Sequence, residues 1–439
     1  MIEVVTTPSS PSAAVLGQRR VLVIAYYFPP MGLSGVQRTL KFVKYLPHFG
    51  WKPTVLTVEP RGYFAHDESL LDELRGRDVE IIRTDAIGPG KVFARNTNVG
   101  LPYEPLRKLL SRVSDTFFIP DNKIGWKHKA LRTALAVHRS APFDLIFATA
   151  PPFTDFLVGA ALRRRTGKPL VLDYRDPWVE YPHRFYPTPL HKRRHVQLER
   201  RVLKVSSHIL TTNRRVKELL IRRYDFLGYH DVQILPQGFD PEDFQAVSAE
   251  GVVPRSGKMR VTYAGVFWED RVPTYFLHAL HALFQERPEW RQRIEALFIG
   301  KFRAENMKLV QKLGLSDAVT IVDYLPHRLC VNNLVTSDVL WMIVGDDVGS
   351  PGKVYEYIGA RKPILGCVPE GFLKQTILEA GGIVTQPRDV VGIKRALEEF
   401  YRRYEAGTLQ GPHPEVVAKY DRIKLTAELV KVFEALMVV

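Results

Sequence analysis

Lys353 ends the short segment Ser350-Pro351-Gly352-Lys353, and Glu356 follows three residues later, one turn on if the segment is helical. The apolar run before it is typical of a buried strand, and helix periodicity begins near Gly352. Free backbone amides at a helix start favour a phosphate, and Lys353 adds a full positive charge. The spacing predicts a site for a diphosphate and, at Glu356, for ribose hydroxyls. The alternative for Glu356 is stabilisation of the helix N-terminus.

Two further glycine-containing loops follow expected strands. Gly265 ends one strand and Arg271 lies six residues later, a pairing that suits a diphosphate held close to the backbone. The loop with Gly32 and Gly35 precedes a helix that carries Arg38, and we expect an anion at the helix start and substrate at Arg38. Each loop has a simpler alternative: a surface role for Arg271, and an ordinary strand-to-helix turn for the two glycines.

A polar segment, Asp173-Tyr-Arg175-Asp176-Pro-Trp178, follows another apolar strand. We expect Asp173, Arg175 and Asp176 to line a cleft that recognises sugar hydroxyls or an acceptor; the alternative is a salt bridge beside a packed Trp178. No Cys/His cluster has the spacing of a zinc site, and the pair Asp346-Asp347 is more typical of a loop than of a metal site. The residues therefore predict no metal ion, no cofactor and no covalent nucleophile.

These loops require strands that alternate with helices. The segments expected as strands are 21–25, 53–58, 79–83, 144–149, 169–173, 207–211, 231–235, 259–264, 296–299, 319–322, 339–344, 363–366 and 383–385. Such alternation predicts the α/β class with two doubly wound parallel sheets, and the length favours two domains. The expected divisions are a disordered lead-in at 1–18, a first domain at 19–240, a linker at 241–258, a second domain at 259–414 and a C-terminal helix at 415–439.

Charge is unevenly distributed along the chain. The net charge is +15, and residues 101–223 hold 25 basic and 10 acidic side chains. A basic face attracts phosphates of anionic lipid, nucleic acid or a diphosphate-bearing acceptor, although a solvated surface is the simpler alternative. We expect Phe117-Phe118-Ile119 and Phe185-Tyr186 either to enter a lipid interface or to pack in the core. No aromatic-interleaved recognition motif supports nucleic acid as a partner.

Cysteine content and apolar runs indicate the compartment. The two cysteines, Cys330 and Cys367, cannot form a disulfide framework, which favours a reducing environment. No apolar run is long enough to span a bilayer, and the first 18 residues lack the apolar centre of a signal peptide. We therefore expect a cytoplasmic protein, with peripheral contact to the inner face of the plasma membrane.

Six sequence blocks, in their order along the chain, resemble glycosyltransferase family 4, whose members have the GT-B fold of two Rossmann-like domains. The blocks are YYFPPMGLSGVQR, ATAPPFTDFL, DYRDPW, ILPQGFD, YAGVFWEDR and PGKVYEYIGARKPIL. The likeness runs from Val21 to about Tyr404. It implies retaining, metal-independent transfer of a sugar from a nucleotide-diphosphate sugar in an interdomain cleft, and a C-terminal helix that crosses back to the first domain. The expected acceptor is a glycan or a polyprenol-linked glycan, in polysaccharide or glycoconjugate synthesis.

The resemblance also assigns individual residues. Glu356 matches the second glutamate of the family's E-x7-E motif, which grips the donor ribose, while Arg271 and Lys353 match basic residues that face the donor phosphates. Val348 replaces the first glutamate of the motif, which leaves the identity of the sugar open. The donor-binding set is completed by Gly32, Gly35, Gly265, Ser350, Pro351, Gly352 and Tyr324. The alternatives are a GT-B epimerase or phosphorylase, and a basic anion- or nucleic-acid-binding module without catalysis.

Overall fold

The computed structural model describes residues 18–32, 34–60, 66–85, 104–182, 184–245, 247–267 and 271–438. The predicted lead-in, apart from its last residue, and residues 268–270 of the loop after Gly265 lie outside this part of the chain. The chain divides into an N-terminal unit, Met1–Pro236 together with Ile423–Val439, and a C-terminal unit, Gln237–Arg422.

The N-terminal unit contains a seven-stranded parallel sheet in the order β3-β2-β1-β4-β5-β6-β7. Its strands are β1 (Arg19–Ile24), β2 (Trp51–Val58), β3 (Glu80–Thr84), β4 (Leu145–Ala150), β5 (Leu170–Tyr174), β6 (His208–Thr211) and β7 (Val232–Ile234). Every residue of β4 and β5 is buried, as expected for central parallel strands with both faces covered.

The C-terminal unit contains a six-stranded parallel sheet in the order β10-β9-β8-β11-β12-β13. Its strands are β8 (Met259–Ala264), β9 (Ile294–Ile299), β10 (Val319–Val322), β11 (Val339–Ile343), β12 (Ile364–Cys367) and β13 (Ile383–Thr385). The apolar cores of this unit surround the buried side chains of β8 and β11, including Tyr263 and Trp341. Both sheets follow the strand order of doubly wound folds, so the predicted fold class is confirmed.

Helices connect the strands in both units. They are α1 (Ser34–Tyr45), α2 (Ser69–Asp72), α3 (Glu104–Phe117), α4 (Lys127–Ser140), α5 (Thr154–Thr166), α6 (Pro189–Leu203), α7 (Arg214–Arg223), α8 (Thr274–Glu286), α9 (Ala304–Lys312), α10 (His327–Val335), α11 (Gly352–Gly359), α12 (Phe372–Glu379), α13 (Val390–Glu405), α14 (Pro414–Lys419) and α15 (Arg422–Ala435). Of these, α2 and α3 were not expected from the sequence. None of the described helices is long and apolar enough to cross a membrane.

The predicted C-terminal helix is interrupted near Tyr420. Phe239 donates its backbone N–H to the Tyr420 carbonyl over 3.1 Å, and Phe239 and Asp421 form an isolated parallel bridge. This pairing occupies backbone groups that a continuous helix would use, so α14 ends before it and α15 begins after it. In α15, Leu429 and Phe433 are fully buried in the core of the N-terminal unit, where the Phe433 ring lies 5.1 Å from that of Trp51.

The predicted domain boundaries need correction. The segment expected as a linker, 241–258, packs within the C-terminal unit, since Ser248 N donates to Asn332 Oδ1 (3.2 Å) and Val253 N to Asn333 Oδ1 (2.9 Å). The N-terminal unit ends at Pro236 rather than at 240, and its C-terminal segment begins at Ile423 rather than at 415. The polar composition of this segment predicts a linker, but two asparagines of α10 hold it against the C-terminal unit.

Candidate functional site

The loops that follow β8 and β11 begin at the same edge of the second sheet. The two strands are hydrogen-bonded neighbours, and the strand order reverses between them, with β9 on one side and β12 on the other. Connections at such a reversal leave on opposite faces, which opens a crevice outside the carboxyl ends of the strands. Gly265 follows β8, and the segment 344–351 joins β11 to α11, so both predicted donor loops lie at this reversal.

Lys353 lies in the first turn of α11 and its ammonium is held against the end of β8. Its Nζ is 3.8 Å from the centroid of the Tyr263 ring, a cation–π contact. A Cβ at Gly265 would lie 2.5 Å from that Nζ, and Gly265 has φ +142°, a conformation that other residues rarely adopt. The backbone angle therefore favours glycine at this position, and a side chain there would displace the Lys353 ammonium.

The charge of Lys353 is destabilised in the free protein. Burial, together with the positive charge of Arg271, lowers its pKa to about 7, while Glu356 and Cys330 act in the opposite direction. Two cationic groups thus share one desolvated position, with a carboxylate one helical turn away. An anionic ligand at this position would raise the pKa of Lys353 and relieve the repulsion between the two cations.

The loop before α11 is shaped by Asp346. Its Oδ1 accepts the backbone N–H of Val348 (3.0 Å) and of Gly349 (2.5 Å), so this carboxylate serves the loop, as the residue pattern suggested. A Cβ at Gly349 would lie 3.5 Å from Nη2 of Arg271, which places the guanidinium against the same loop. The Val348 side chain is buried at the position of the family's first glutamate.

Glu356 and Cys330 lie close to Lys353, within electrostatic range. Glu356 is half-buried on α11, whereas its neighbours Tyr355 and Tyr357 are fully buried. Cys330 lies on α10, and burial raises the pKa of its thiol to about 12, with Glu356 adding to the shift. The sequence carried no signal for Cys330, because a lone cysteine on an amphipathic helix has no characteristic spacing.

The remaining donor-site predictions are placed as follows. Ser350 is buried with its Oγ 3.5 Å from the Tyr355 hydroxyl, and Pro351 is the residue that precedes α11. Tyr324 follows β10, two strands away from β8, and its backbone N–H donates to the carboxylate of Asp323 (2.7 Å). The donor-binding role of Tyr324 stays a prediction.

In the N-terminal unit, Arg38 and Asp173 form a buried ion pair. The Arg38 side chain is 1% exposed and Asp173 is 0% exposed, with Nη2 and Oδ1 2.8 Å apart. Arg38 also donates to the carbonyls of Leu235 (3.0 Å) and Pro236 (2.7 Å), and Thr149 donates to Asp173 (2.9 Å). The geometry replaces the substrate-binding role predicted for both residues with a structural one, because their polar atoms are occupied inside the unit.

Arg175 joins the two loops at the strand reversal of the first sheet. Its guanidinium donates to the backbone carbonyls of Gly35, at the start of α1, and of Pro151, after β4. Burial lowers its pKa, opposed by the negative charges of Asp173 and Asp176. Gly35 is exposed, Asp176 half-buried and Gly32 buried, so a substrate can reach Gly35 and Asp176 but not the enclosed guanidinium of Arg175.

Comparison with known proteins agrees with this architecture. Residues 34–238 match the family model of the glycosyl transferase 4-like domain. No curated protein sequence matches the chain. The residues matched include Gly35 and Pro151, whose carbonyls Arg175 contacts, and the match therefore shows that most of the N-terminal unit is similar to a glycosyl transferase 4-like domain.

Solved structures similar to the chain cover nearly its whole length. Sucrose-phosphate synthase from Thermosynechococcus elongatus is 17% identical, with a TM-score of 0.66 over 96% of this chain and 99% of that one. HepE from Anabaena in complex with UDP and glucose is 14% identical, with a TM-score of 0.60 over 95% and 100%. A putative UDP-N-acetylglucosamine 2-epimerase from Listeria monocytogenes is 12% identical, with a TM-score of 0.59 over 95% and 96%. These similarities establish the fold, that of two Rossmann-like domains.

Proposed function

We propose that this chain, a family 4-like glycosyltransferase of the GT-B fold, transfers a sugar from a nucleoside-diphosphate sugar to a hydroxyl of an acceptor glycan. The observation that carries the proposal is the ammonium of Lys353, desolvated beside Arg271 and one helical turn from Glu356. A diphosphate would supply negative charge beside the two cations, and in this proposal Glu356 accepts hydrogen bonds from the ribose hydroxyls. Relatives in fold bind UDP or UDP-glucose, which supports a donor of this class.

Catalysis would come from stabilisation of the leaving diphosphate. Negative charge grows on it as the bond to the sugar breaks, and in this proposal Lys353, Arg271 and the backbone amides at the start of α11, which has no side-chain cap, stabilise that charge. Removing one such donor costs about 10²–10³ in rate. In this proposal no residue acts as a nucleophile, no metal ion takes part, and the anomeric configuration is retained. Activity that survives EDTA and an NMR assignment of the product's anomer test the last two points.

The proposed acceptor is a glycan or a lipid-linked glycan of cell-surface polysaccharide synthesis. The excess of basic residues in 101–223 supports an acceptor that carries a diphosphate and meets the enzyme at the anionic inner face of the plasma membrane. A cytoplasmic location is part of the same proposal. It rests on the presence of two free cysteines, one of them fully buried.

The competing function is that of a GT-B epimerase, since one relative in fold bears that description. A transferase releases a nucleoside diphosphate in proportion to the glycosylated acceptor, whereas an epimerase isomerises the nucleotide sugar with no acceptor present. A thermal-shift screen over nucleoside diphosphates and nucleotide sugars selects the donor, because ligands that bind the native state raise its stability. Release of the nucleoside diphosphate, with and without glycan acceptors, then separates the two functions.

Two substitutions test the donor site directly. Glu356→Ala and Lys353→Ala should each lose most turnover, about 10²-fold or more, while the thermal unfolding midpoint stays close to that of the parent protein or higher. The matched control is Lys374→Ala. It removes a lysine of α12 that pairs with Glu370, and it should keep full activity. Full activity in either donor-site variant would exclude the assignment.

A further inference from the structure

Helix α3 exposes a continuous apolar stripe. Leu109 is 58% exposed, Leu110 55%, Val113 48% and Phe117 76%. At 100° per residue these positions fall within an arc of about 100° on one side of the helix. The apolar stripe of an amphipathic helix normally packs against a protein core. Four exposed apolar side chains on one arc are therefore unusual in a helix that faces water.

Two further exposed apolar side chains lie next to this stripe, one just before α6 and one in its first turn. Phe185 is 40% exposed and Leu190 is 71% exposed. The two segments are joined, because Nε2 of His191 lies 3.2 Å from the Thr116 carbonyl and the Arg112 guanidinium lies 5.4 Å from the Phe185 ring. We call the six side chains Leu109, Leu110, Val113, Phe117, Phe185 and Leu190 the apolar patch.

Basic side chains border the apolar patch. Arg112 is exposed beside it on α3, and Lys192, Arg193 and Arg194 are exposed immediately after Leu190 on α6. On α3 from Leu109 to Phe117, where side-chain exposure is described, the carboxylate is that of Asp115, which is half-buried. The exposed side chains of the border, Arg112, Lys192, Arg193 and Arg194, are all positively charged and lie in the basic region 101–223.

We propose that the apolar patch and its basic border dock the N-terminal unit on an anionic lipid bilayer. A helix of 14 residues, about 21 Å long, presents its apolar arc outward, as helices that lie in the lipid interface do. Exposed arginines and lysines beside that arc match phosphate-bearing headgroups. Of the aromatic residues expected at the interface, Phe117 and Phe185 belong to the patch, whereas Phe118, Ile119 and Tyr186 are half-buried.

The test is sedimentation with lipid vesicles, using the full chain without donor or acceptor. Wild-type protein should bind vesicles that contain phosphatidylglycerol, bind pure phosphatidylcholine vesicles weakly, and lose affinity for the anionic vesicles at high salt. The double variant Leu110→Glu/Phe117→Glu should lower the vesicle partition coefficient at least ~10-fold, because it removes two apolar side chains and adds two negative charges. Arg193→Glu/Arg194→Glu should lower binding to anionic vesicles with little change for neutral ones.

The matched control is Val391→Glu, which alters an apolar side chain 55% exposed on α13 of the other unit and should leave vesicle binding unchanged. The proposal is overturned if wild-type protein binds no vesicles at low salt, or if both double variants bind like the wild type. It is also overturned if the patch variants instead abolish a dimer, since the patch would then be an interface between copies. The proposal takes from the proposed function only the idea of a lipid-linked acceptor. Donor-induced thermal stabilisation, measured on the same variants, reports separately on the donor site.

Discussion

Replacement of Lys353 by methionine should stabilise the protein while it weakens donor binding. The ammonium is half-buried, and burial is the main reason that its pKa falls from the ordinary value of 10.5 to about 7. A shift of this size corresponds to ~5 kcal/mol, which is an upper limit because the side chain keeps some contact with solvent. We expect Lys353→Met to raise the free energy of unfolding by about 2 kcal/mol near neutral pH.

The gain should depend on pH in a defined direction. The folded-state pKa of Lys353 lies below that of the unfolded chain, so folding opposes protonation and the cost of the charge is fully present below pH 7. That cost decreases as the pH rises from about 7 towards 10.5, because the unfolded chain then also loses the proton. Methionine has no charge, and the stability difference between variant and wild type should therefore be largest near pH 6 and small near pH 10.

Urea unfolding at several pH values between 6 and 10 measures this difference. Lys431→Met is the control, since Lys431 is exposed on α15, 2.7 Å from Glu428, and its replacement should change stability by less than ~0.5 kcal/mol. Thermal shift with the nucleotide sugar reports donor binding in the same samples. A loss of stability in Lys353→Met at pH 6, or a gain that is constant across the pH range, would refute the reasoning.

Three further predictions follow from the same geometry. Gly265→Ala should lower kcat/KM at least ~10-fold, because the new Cβ would lie 2.5 Å from the Lys353 ammonium and the backbone angle is unfavourable for alanine. The control is Gly50→Ala, also at a positive φ (+78°) but with open space around the new Cβ, and it should keep full turnover. Arg38→Ala should destabilise the protein by about 3–5 kcal/mol in urea unfolding by leaving the Asp173 carboxylate buried and unpaired, without a change in donor affinity of the folded protein. Binding of UDP-glucose should take up a proton at pH 8 and little at pH 6, measured by calorimetry in buffers of different ionisation enthalpy, and Lys353→Ala should show no such uptake.

The strands and the location of the donor loops were predictable because they depend on local signals. A short apolar run bounded by polar or glycine residues predicts a buried parallel strand, and β10 and β13 begin and end at the expected residues. Ligand loops at the carboxyl ends of such strands follow from topology alone, which is why the sequence is enough to select Gly265 and Lys353 as site residues.

The pairing of Arg38 with Asp173 was not predictable, although each residue had been selected. The two are 135 positions apart, and they meet because β1 and β5 flank β4 in the sheet. A buried ion pair and a substrate-binding pair contain the same residue types. Only the burial of the two side chains, which the structure shows, distinguishes the two roles. Helix α3 is not predictable for a related reason: no neighbouring apolar segment in the sequence indicates a core for its apolar residues, and in the structure they are exposed.

The packing at the end of β8 explains why a destabilised cation can be maintained there. A Cβ at Gly300 would lie 2.3 Å from the Gly265 carbonyl oxygen, so the chain ends of β8 and β9 approach as closely as two glycines allow. Trp341 stacks on Phe276 at 4.3 Å and lies 5.1 Å from the Tyr263 ring that Lys353 contacts, so a buried aromatic cluster supports the position of the cation. An anionic ligand would relieve the repulsion between Lys353 and Arg271. A diphosphate, which can contact both cations, should therefore bind more tightly than a monophosphate, which can neutralise one of them.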